Sequence, residues 1–178
     1  VLGTENVRKV ALFEGMDEFG RLQPLLGTAE EVMDSAGNVV SGAIAWHMPT
    51  TENPGLGDTE IWEIYNATGD AHPVHLHLVN FEVLNREGCA ADVIPQDLLQ
   101  HNGTLGIGFR LENIVLDGNV DVATGVEKAP KDMVTAYPDQ VTRIKATFDK
   151  PGRYVWHCHI LSHEDHEMMR VLHVGPGA

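Results

Sequence analysis

The chain has 178 residues and a formal net charge of −14 at pH 7, and this length suits one domain with its own hydrophobic core. Such acidity argues against binding to nucleic acid or to anionic membrane surfaces, which require basic patches. No apolar run reaches the ~18 residues of a membrane span, and the two cysteines are too few for a disulfide framework. We therefore expect a single domain over residues 1–178 that binds neither nucleic acid nor membrane.

Short segments of alternating polarity, separated by turn residues, predict an all-β domain of the Greek-key sandwich or barrel type. An Asp-Ser-Ala-Gly-Asn turn at 34–38 indicates a hairpin, and a short helical turn is expected over 163–169. The predicted strands cover residues 7–13, 31–33, 39–40, 59–67, 75–84 (after a turn at Pro73), 141–148, 152–160 and 169–174.

Residues 88–130 lack a clear pattern and are predicted to be a long variable loop region, with a short helix over 94–100. A long insertion in a β-domain is often functional. Two interpretations stay open: the region borders a substrate entrance or a contact between domains, or it is a surface excursion without a special role.

The sequence His157-Cys158-His159 is the most informative stretch, and it is followed by His163 and Met168 at five-residue steps from the cysteine. Blue-copper sites consist of two His, one Cys and a weak axial Met. Zinc sites favour paired cysteines or His with carboxylates, and no second cysteine lies nearby. This spacing therefore favours copper.

A second cluster, His72-Pro-Val-His75-Leu-His77, completes the pattern. Side chains of a strand alternate between its two faces. If the two stretches are neighbouring strands, Cys158 and His72 meet on one side, and a turn after residue 160 returns His163 and Met168 to them. This first group predicts a mononuclear copper site. The second group would face the opposite side and resembles half of a polynuclear copper site: His75, His77, His157 and His159.

These motifs, H-P-V-H-L-H and H-C-H-I-L-S-H-E-D-H-E-M-M, resemble the copper-binding motifs in the C-terminal cupredoxin domain of multicopper oxidases, particularly bacterial spore-coat laccases and bilirubin oxidases. The resemblance covers residues 59–87 and 131–174 nearly throughout. It implies a cupredoxin-like fold. It also implies ligand roles, which are type 1 copper for His72, Cys158, His163 and Met168, type 2 copper for His75, and the type 3 pair for His77, His157 and His159.

By this resemblance, a phenol, an aromatic amine or a bilirubin-like tetrapyrrole gives electrons one at a time to the type 1 copper. The exposed loop favours His163 over His72 as the ligand edge that receives them. Residues 157–159 give the electrons a short covalent route to the trinuclear copper cluster, where dioxygen is reduced to water. The glutamate at the position of Glu164 relays protons in spore-coat laccases, although a solvated acidic turn is an equally open interpretation.

The family's trinuclear cluster also takes imidazoles from H-x-H motifs of an N-terminal domain, and this sequence has no third H-x-H. We therefore expect the chain to be the C-terminal part of a longer oxidase, or to meet N-terminal cupredoxin domains in a companion chain. The resemblance also favours an extracytoplasmic location.

Two other functional classes fit the histidine motifs less well, and a third stays open. A blue-copper electron carrier needs one ligand set only and leaves the second group of histidines unused. A copper nitrite reductase lacks the second imidazole beside its cysteine, so His159 argues against it. A metal-ion oxidase of the same family stays open. Outside the motifs, Cys89 is expected to be a spare thiol or to pair with another part of the protein, and the first interpretation is favoured. Trp156 is expected to be a packing residue, and Asp132 is a candidate to orient one of the imidazoles.

Overall fold

A computed structural model describes residues 5–177, and within them nearly all regular structure is β-strand. No helix among these residues has the length and apolar character needed to cross a membrane. Besides a 3-10 turn (Gly125–Lys128) and one short helix, α1 (Leu161–Glu164), the described residues form eleven strands. They are β1 (Asn6–Met16), β2 (Leu22–Met33), β3 (Val39–Ala43), β4 (Thr59–Asn66), β5 (His72–Leu76), β6 (Phe81–Leu99), β7 (Leu105–Val122), β8 (Met133–Ala136), β9 (Gln140–Thr147), β10 (Gly152–Cys158) and β11 (Met169–Val174).

The strands form two sheets. The larger has the order β3-β2-β1-β4-β9-β6-β7, and the smaller has the order β11-β10-β5-β8. The main core lies between them and contains Trp62 and Phe148 from the side of the larger sheet and Trp156 from the smaller one. Trp62 and Trp156 meet edge to face with ring centroids 5.5 Å apart. The all-β prediction is therefore confirmed, and Trp156 is a fully buried packing residue as expected.

The hairpin predicted around residues 34–38 is present, because β2 and β3 pair on either side of this turn. The prediction for residues 88–130 was wrong in its main point, since most of this region belongs to the long antiparallel pair β6–β7. The helix predicted over 94–100 is absent, and residues 94–99 lie in β6, opposite residues 105–110 of β7. Pairing with the next strand, across the short turn at residues 100–104, overrides the helix-like spacing of these apolar residues.

The predicted turn at Pro73 is also wrong, because Pro73 lies inside β5 and faces Thr135 of β8. The expected strand over 75–84 is correspondingly divided, with β5 ending at Leu76 and β6 beginning at Phe81. Proline lacks an N–H and normally interrupts a ladder. Here the Pro73 carbonyl accepts a hydrogen bond from the His159 N–H at 2.7 Å. The N–H that Pro73 lacks would point to the same side as this carbonyl, just beyond the last β10–β5 pair. The sheet therefore loses few ladder hydrogen bonds.

Candidate metal centre

The two histidine motifs lie on neighbouring strands in the centre of the smaller sheet. Strands β5 and β10 pair antiparallel, with His157 opposite His75 and Cys158 opposite Val74. Because side chains alternate, His72 and Val74 share the face of Cys158, whereas His75 shares the opposite face with His157. The tripeptide 157–159 therefore contributes to both faces of one sheet, as the alternation in the sequence predicts.

On the core-facing side, three donor atoms converge. The Cys158 Sγ lies 3.6 Å from the Nδ1 of His72 and 3.8 Å from the Nδ1 of His163. Ligand atoms of these three residues all lie within 4.8 Å of one another. Strand β5 supplies His72, β10 supplies Cys158, and α1 returns His163 to them.

Met168 belongs to the same side. It is fully buried in the main core with Cys158, and its carbonyl accepts the Cys158 N–H at 3.0 Å. Met169 instead pairs with His157 and is only partly buried. The strand parity therefore favours Met168 over its neighbour as the thioether of this group.

Burial controls the protonation of the core-facing donors. It lowers the pKa of His72 to about 4, with the nearby His163 adding to the effect, so the His72 imidazole is neutral near pH 7. Burial also raises the pKa of the Cys158 thiol to about 11. A metal that binds here must therefore displace the thiol proton. A thiolate, two imidazoles and a thioether form a soft donor set that fits copper.

On the other side of the sheet lie the four remaining imidazoles. Ligand atoms of His75, His77 and His157 lie within 4.8 Å of one another, and the Nε2 atoms of His77 and His157 are 3.0 Å apart. The ring of His159 lies 5.6 Å from that of His157 and 5.7 Å from that of His75. His157 is buried, His75 and His77 are half-buried and His159 is exposed. This group is therefore open on one side.

The surroundings orient these rings. The Nδ1 of His75 lies 2.8 Å from the main-chain carbonyl of Asp132, which leaves Nε2 free for a metal. The sequence pointed to Asp132, and the shorter contact uses its main-chain carbonyl, while its carboxylate lies 3.9 Å from the same nitrogen. A carboxylate oxygen of Glu164 lies 3.5 Å from the Nδ1 of His157, so Glu164 reaches the second group from α1.

The residues that hold His72 were not predicted from the sequence. Thr68 Oγ1 lies 2.8 Å from the Nε2 of His72 and is itself bonded to Asn66. Glu14 on β1 approaches the same Nε2 to 3.9 Å. The available signal was the segment Asn-Ala-Thr-Gly-Asp-Ala immediately before His72, which is typical of a turn with side-chain hydrogen bonds.

The other histidines lie outside the two ligand groups of the described chain. His47 and His101 form an edge-to-face ring pair at the surface, with centroids 5.6 Å apart. His173 contacts the Asn53 side chain, and His166 is exposed in the loop after α1.

Cys89 is a free thiol in β6. Its burial, together with Asp139 and Asp117, raises the thiol pKa from 9.0 to about 11.

Only the thiolate reacts with alkylating agents, so we expect iodoacetamide to label Cys89 about 100-fold more slowly at pH 8 than an unshifted thiol. The rate should rise about tenfold per pH unit up to about pH 11. Peptide mapping by mass spectrometry measures the labelling rate, and Cys89→Ser is the control. Labelling of Cys89 at the rate of a free cysteine peptide would contradict this burial.

The comparisons with known proteins agree with this geometry. Residues 22–178 match the family model described as multicopper oxidase. A laccase of Bacillus subtilis is 37% identical over 171 residues, which cover 96% of this chain and 28% of the relative. Multicopper oxidase LPR1 of Arabidopsis thaliana is 31% identical over 158 residues, which cover 79% of this chain and 26% of the relative.

Among solved structures, a multicopper oxidase of Campylobacter jejuni, described as a metallo-oxidase, superposes with a TM-score of 0.61 at 20% identity. The match covers 98% of this chain and 31% of that structure, and it shows a cupredoxin-like fold. The chain thus spans less than a third of the length of these relatives, whose family implies copper as the metal. With a family match over most of its length, the chain belongs to the multicopper oxidases.

Proposed function

We propose that this chain forms the type 1 copper site and about half of a trinuclear copper site of a laccase-like oxidase. The type 1 ligands are His72, Cys158, His163 and Met168. In the second group, His75 would bind the type 2 copper, and His77, His157 and His159 the type 3 pair. The intact protein would take electrons one at a time from a phenol, an aromatic amine or a bilirubin-like tetrapyrrole, and would reduce dioxygen to water.

One observation carries this proposal: adjacent residues serve two different ligand groups. The Sγ of Cys158 belongs to the core-facing donors, while the imidazole of His157 belongs to the group on the other side. A single peptide unit therefore joins the two groups covalently. A simple electron carrier has no use for the second group, and this arrangement supports an oxidase instead.

Copper bound by thiolate and imidazole would supply one-electron oxidation and reduction with little change in its ligands. The protein's part is to exclude water and to leave one edge accessible. Cys158, His72 and Met168 are fully buried, whereas His163 is partly exposed on α1. His163, not His72, would therefore be the edge that a small aromatic reductant approaches, and this exposure supports the preference from the sequence.

The open side of the second group supports the need for a partner. His159 is exposed and two further imidazoles are half-buried. A metal held by these ring nitrogens would therefore stay accessible to ligands from another domain. We propose that N-terminal cupredoxin domains, in the same protein or in a companion chain, cover this side and supply the remaining histidines.

Copper content, visible and paramagnetic spectra, and oxygen uptake with a phenolic dye test the proposal on the intact protein. We expect several coppers per molecule, a blue absorption from the thiolate site, and oxygen uptake that depends on the dye. A single blue copper without oxygen uptake would identify an electron carrier, and zinc in the thiolate pocket of the native protein would exclude the proposal.

Replacing Glu164 with glutamine should slow dioxygen reduction while leaving the blue colour intact. Reduction of dioxygen to water consumes protons, and the Glu164 carboxylate, 3.5 Å from the Nδ1 of His157, can hold and deliver them, whereas an amide cannot. Loss of a positioned proton donor typically costs about 10²-fold. Steady-state oxygen uptake across the pH range measures the effect. Asp165→Asn is the matched control in the same turn, and unchanged turnover of Glu164→Gln at every pH would remove Glu164 from the proton path.

A further inference from the structure

The turn before β5 contains a buried polar network that ends on a ligand of the mononuclear group. Thr68 is 8% exposed, Asn66 is 3% exposed and His72 is 0% exposed. Water therefore has little access to this network, and each hydrogen must go to a protein acceptor. The direction of every hydrogen bond can be deduced from the partners.

Asn66 fixes the first direction. Its Nδ2 lies 2.7 Å from the Asp70 carbonyl and 3.0 Å from the Ala136 carbonyl, and both oxygens only accept. Its Oδ1 accepts the main-chain N–H of Thr68 at 2.9 Å. The amide therefore has one orientation, and Oδ1 is also the acceptor that faces the Thr68 hydroxyl at 2.8 Å.

The Thr68 hydroxyl has a single hydrogen, and its neighbours decide where that hydrogen goes. Asn66 Oδ1 and the Asp70 carbonyl, at 2.8 and 3.1 Å, are both acceptors. The main-chain N–H of Asp70 donates to the hydroxyl oxygen at 3.2 Å, so this oxygen already acts as an acceptor. If the hydroxyl donated to the Nε2 of His72, both acceptor oxygens would face it with no hydrogen between. The hydroxyl hydrogen therefore goes to one of these two oxygens, and the Nε2 of His72, 2.8 Å away, is then the donor.

We propose that Thr68 is a positioning residue of the mononuclear copper site, which holds His72 in the tautomer protonated at Nε2. In this tautomer the lone pair lies on Nδ1, the ring nitrogen that lies 3.6 Å from the Cys158 Sγ. The opposite tautomer would place a hydrogen toward the metal position, and the Thr68 hydroxyl could then donate to Nε2 only by turning its hydrogen away from both Asn66 Oδ1 and the Asp70 carbonyl. Thr68 thus prepares His72 to bind copper before copper arrives, and this inference rests on the proposed function of the site.

Substitutions in the intact protein test the hydroxyl directly. Thr68→Val keeps the shape but removes the acceptor, and Thr68→Ser keeps the acceptor. The matched control is Thr142→Val in β9, because Thr142 is fully buried and its hydroxyl has no hydrogen-bond partner in the described chain. Competition with a Cu(I) chelator measures the copper affinity of the blue site, and the visible spectrum reports its ligand geometry.

We expect Thr68→Val to lose about 10- to 100-fold in copper affinity, as is usual when a partner that orients a ligand is removed, and to shift the blue absorption band. Thr68→Ser should restore both properties, and Thr142→Val should leave them unchanged. Wild-type affinity and spectrum in Thr68→Val would overturn the role of Thr68. So would a Thr68→Ser protein that behaves like Thr68→Val, because the hydroxyl would then not be the cause.

Nitrogen-15 NMR of the metal-free intact protein, labelled at histidine, gives a second measurement that does not depend on the folding of a variant. The His72 signals should show a protonated Nε2 and an unprotonated Nδ1 near pH 7, and the reverse would refute the inference. If the wild-type protein binds no copper at the thiolate, the proposed function and this inference fail together. If it binds copper normally and only the Thr68 results disagree, the proposed function stands.

Discussion

Cys158→Ser should abolish the blue absorption of the intact protein and its oxidation of phenolic dyes. The Cys158 sulfur is the single thiolate donor among the core-facing ligands, 3.6 Å from the Nδ1 of His72 and 3.8 Å from that of His163. Serine does not ionise near neutral pH and supplies no soft donor for copper. The loss of activity should therefore exceed the ~100-fold that is typical when only an outer partner of a metal ligand is removed.

The same variant should retain copper at the second group, because His75, His77 and His157 lie on the opposite face of the sheet. Copper analysis and paramagnetic resonance would show this selective loss. Cys89→Ser is the matched control and should keep the colour and the activity, since Cys89 lies in β6, outside both ligand groups. A blue Cys158→Ser protein would show that the thiolate of the site is a different group and would overturn the ligand assignment.

Arg170→Met should produce a large loss of stability. Arg170 is 0% exposed, and its guanidinium donates to the carbonyls of Ala45, Met48 and Pro49 at 3.0, 3.1 and 2.7 Å. It thereby holds the segment after β3 against β11. Methionine fills a similar volume but supplies no donor, so the Met48 and Pro49 carbonyls lose this partner and the Ala45 carbonyl keeps only the Met48 N–H. The expected decrease in the free energy of unfolding is about 3–5 kcal/mol.

Urea unfolding of the intact protein, followed by tryptophan fluorescence, measures this decrease, because Trp156 lies opposite Arg170 in the β10–β11 pair. Arg153→Met on β10 is the control, since Arg153 is exposed and its replacement should change the stability by less than about 0.5 kcal/mol. Equal midpoints for the two variants would show that the carbonyls find other donors.

The arrangement of the site followed from the sequence because it depends on a local property. The odd spacing of His72 from His75, and the position of Cys158 between two histidines, specify opposite faces once both segments are strands. No knowledge of the rest of the fold is needed for that step. The partner strand still had to be assumed, and the β5–β10 pairing supplies it.

The β6–β7 hairpin was missed although the Asn102-Gly103 turn between its strands is a local hairpin signal, because two features of residues 94–99 argued against a strand. The apolar residues from Ile94 to Leu99 have a spacing compatible with a helix, and Pro95 argues against a central strand. The structure pairs them with residues 105–110, while pairing of β6 with β9 ends at Gly88. Pro95 thus lies where β6 has no β9 partner to lose, a fact that only the complete topology reveals.

The supports of the site were missed for a related reason. Asn66 and Thr68 have ordinary turn composition, and their importance comes from the approach of the Ala136 carbonyl from β8. Arg170 follows two methionines. Nothing in the sequence indicates that its guanidinium donates hydrogen bonds to carbonyls of a segment more than 100 residues earlier. Long-range hydrogen bonds of this kind leave no local pattern.

The faces on which the side chains of His157, Cys158 and His159 lie depend on the length of β10. Inserting or deleting one residue in β10 upstream of this tripeptide would either be absorbed by a bulge or turn sulfur outward and both flanking rings inward. In the second case both ligand groups would be lost, although the hydrophobic content of the chain would hardly change. Without a compensating bulge, a length change in this strand should therefore keep the ligand faces only in steps of two.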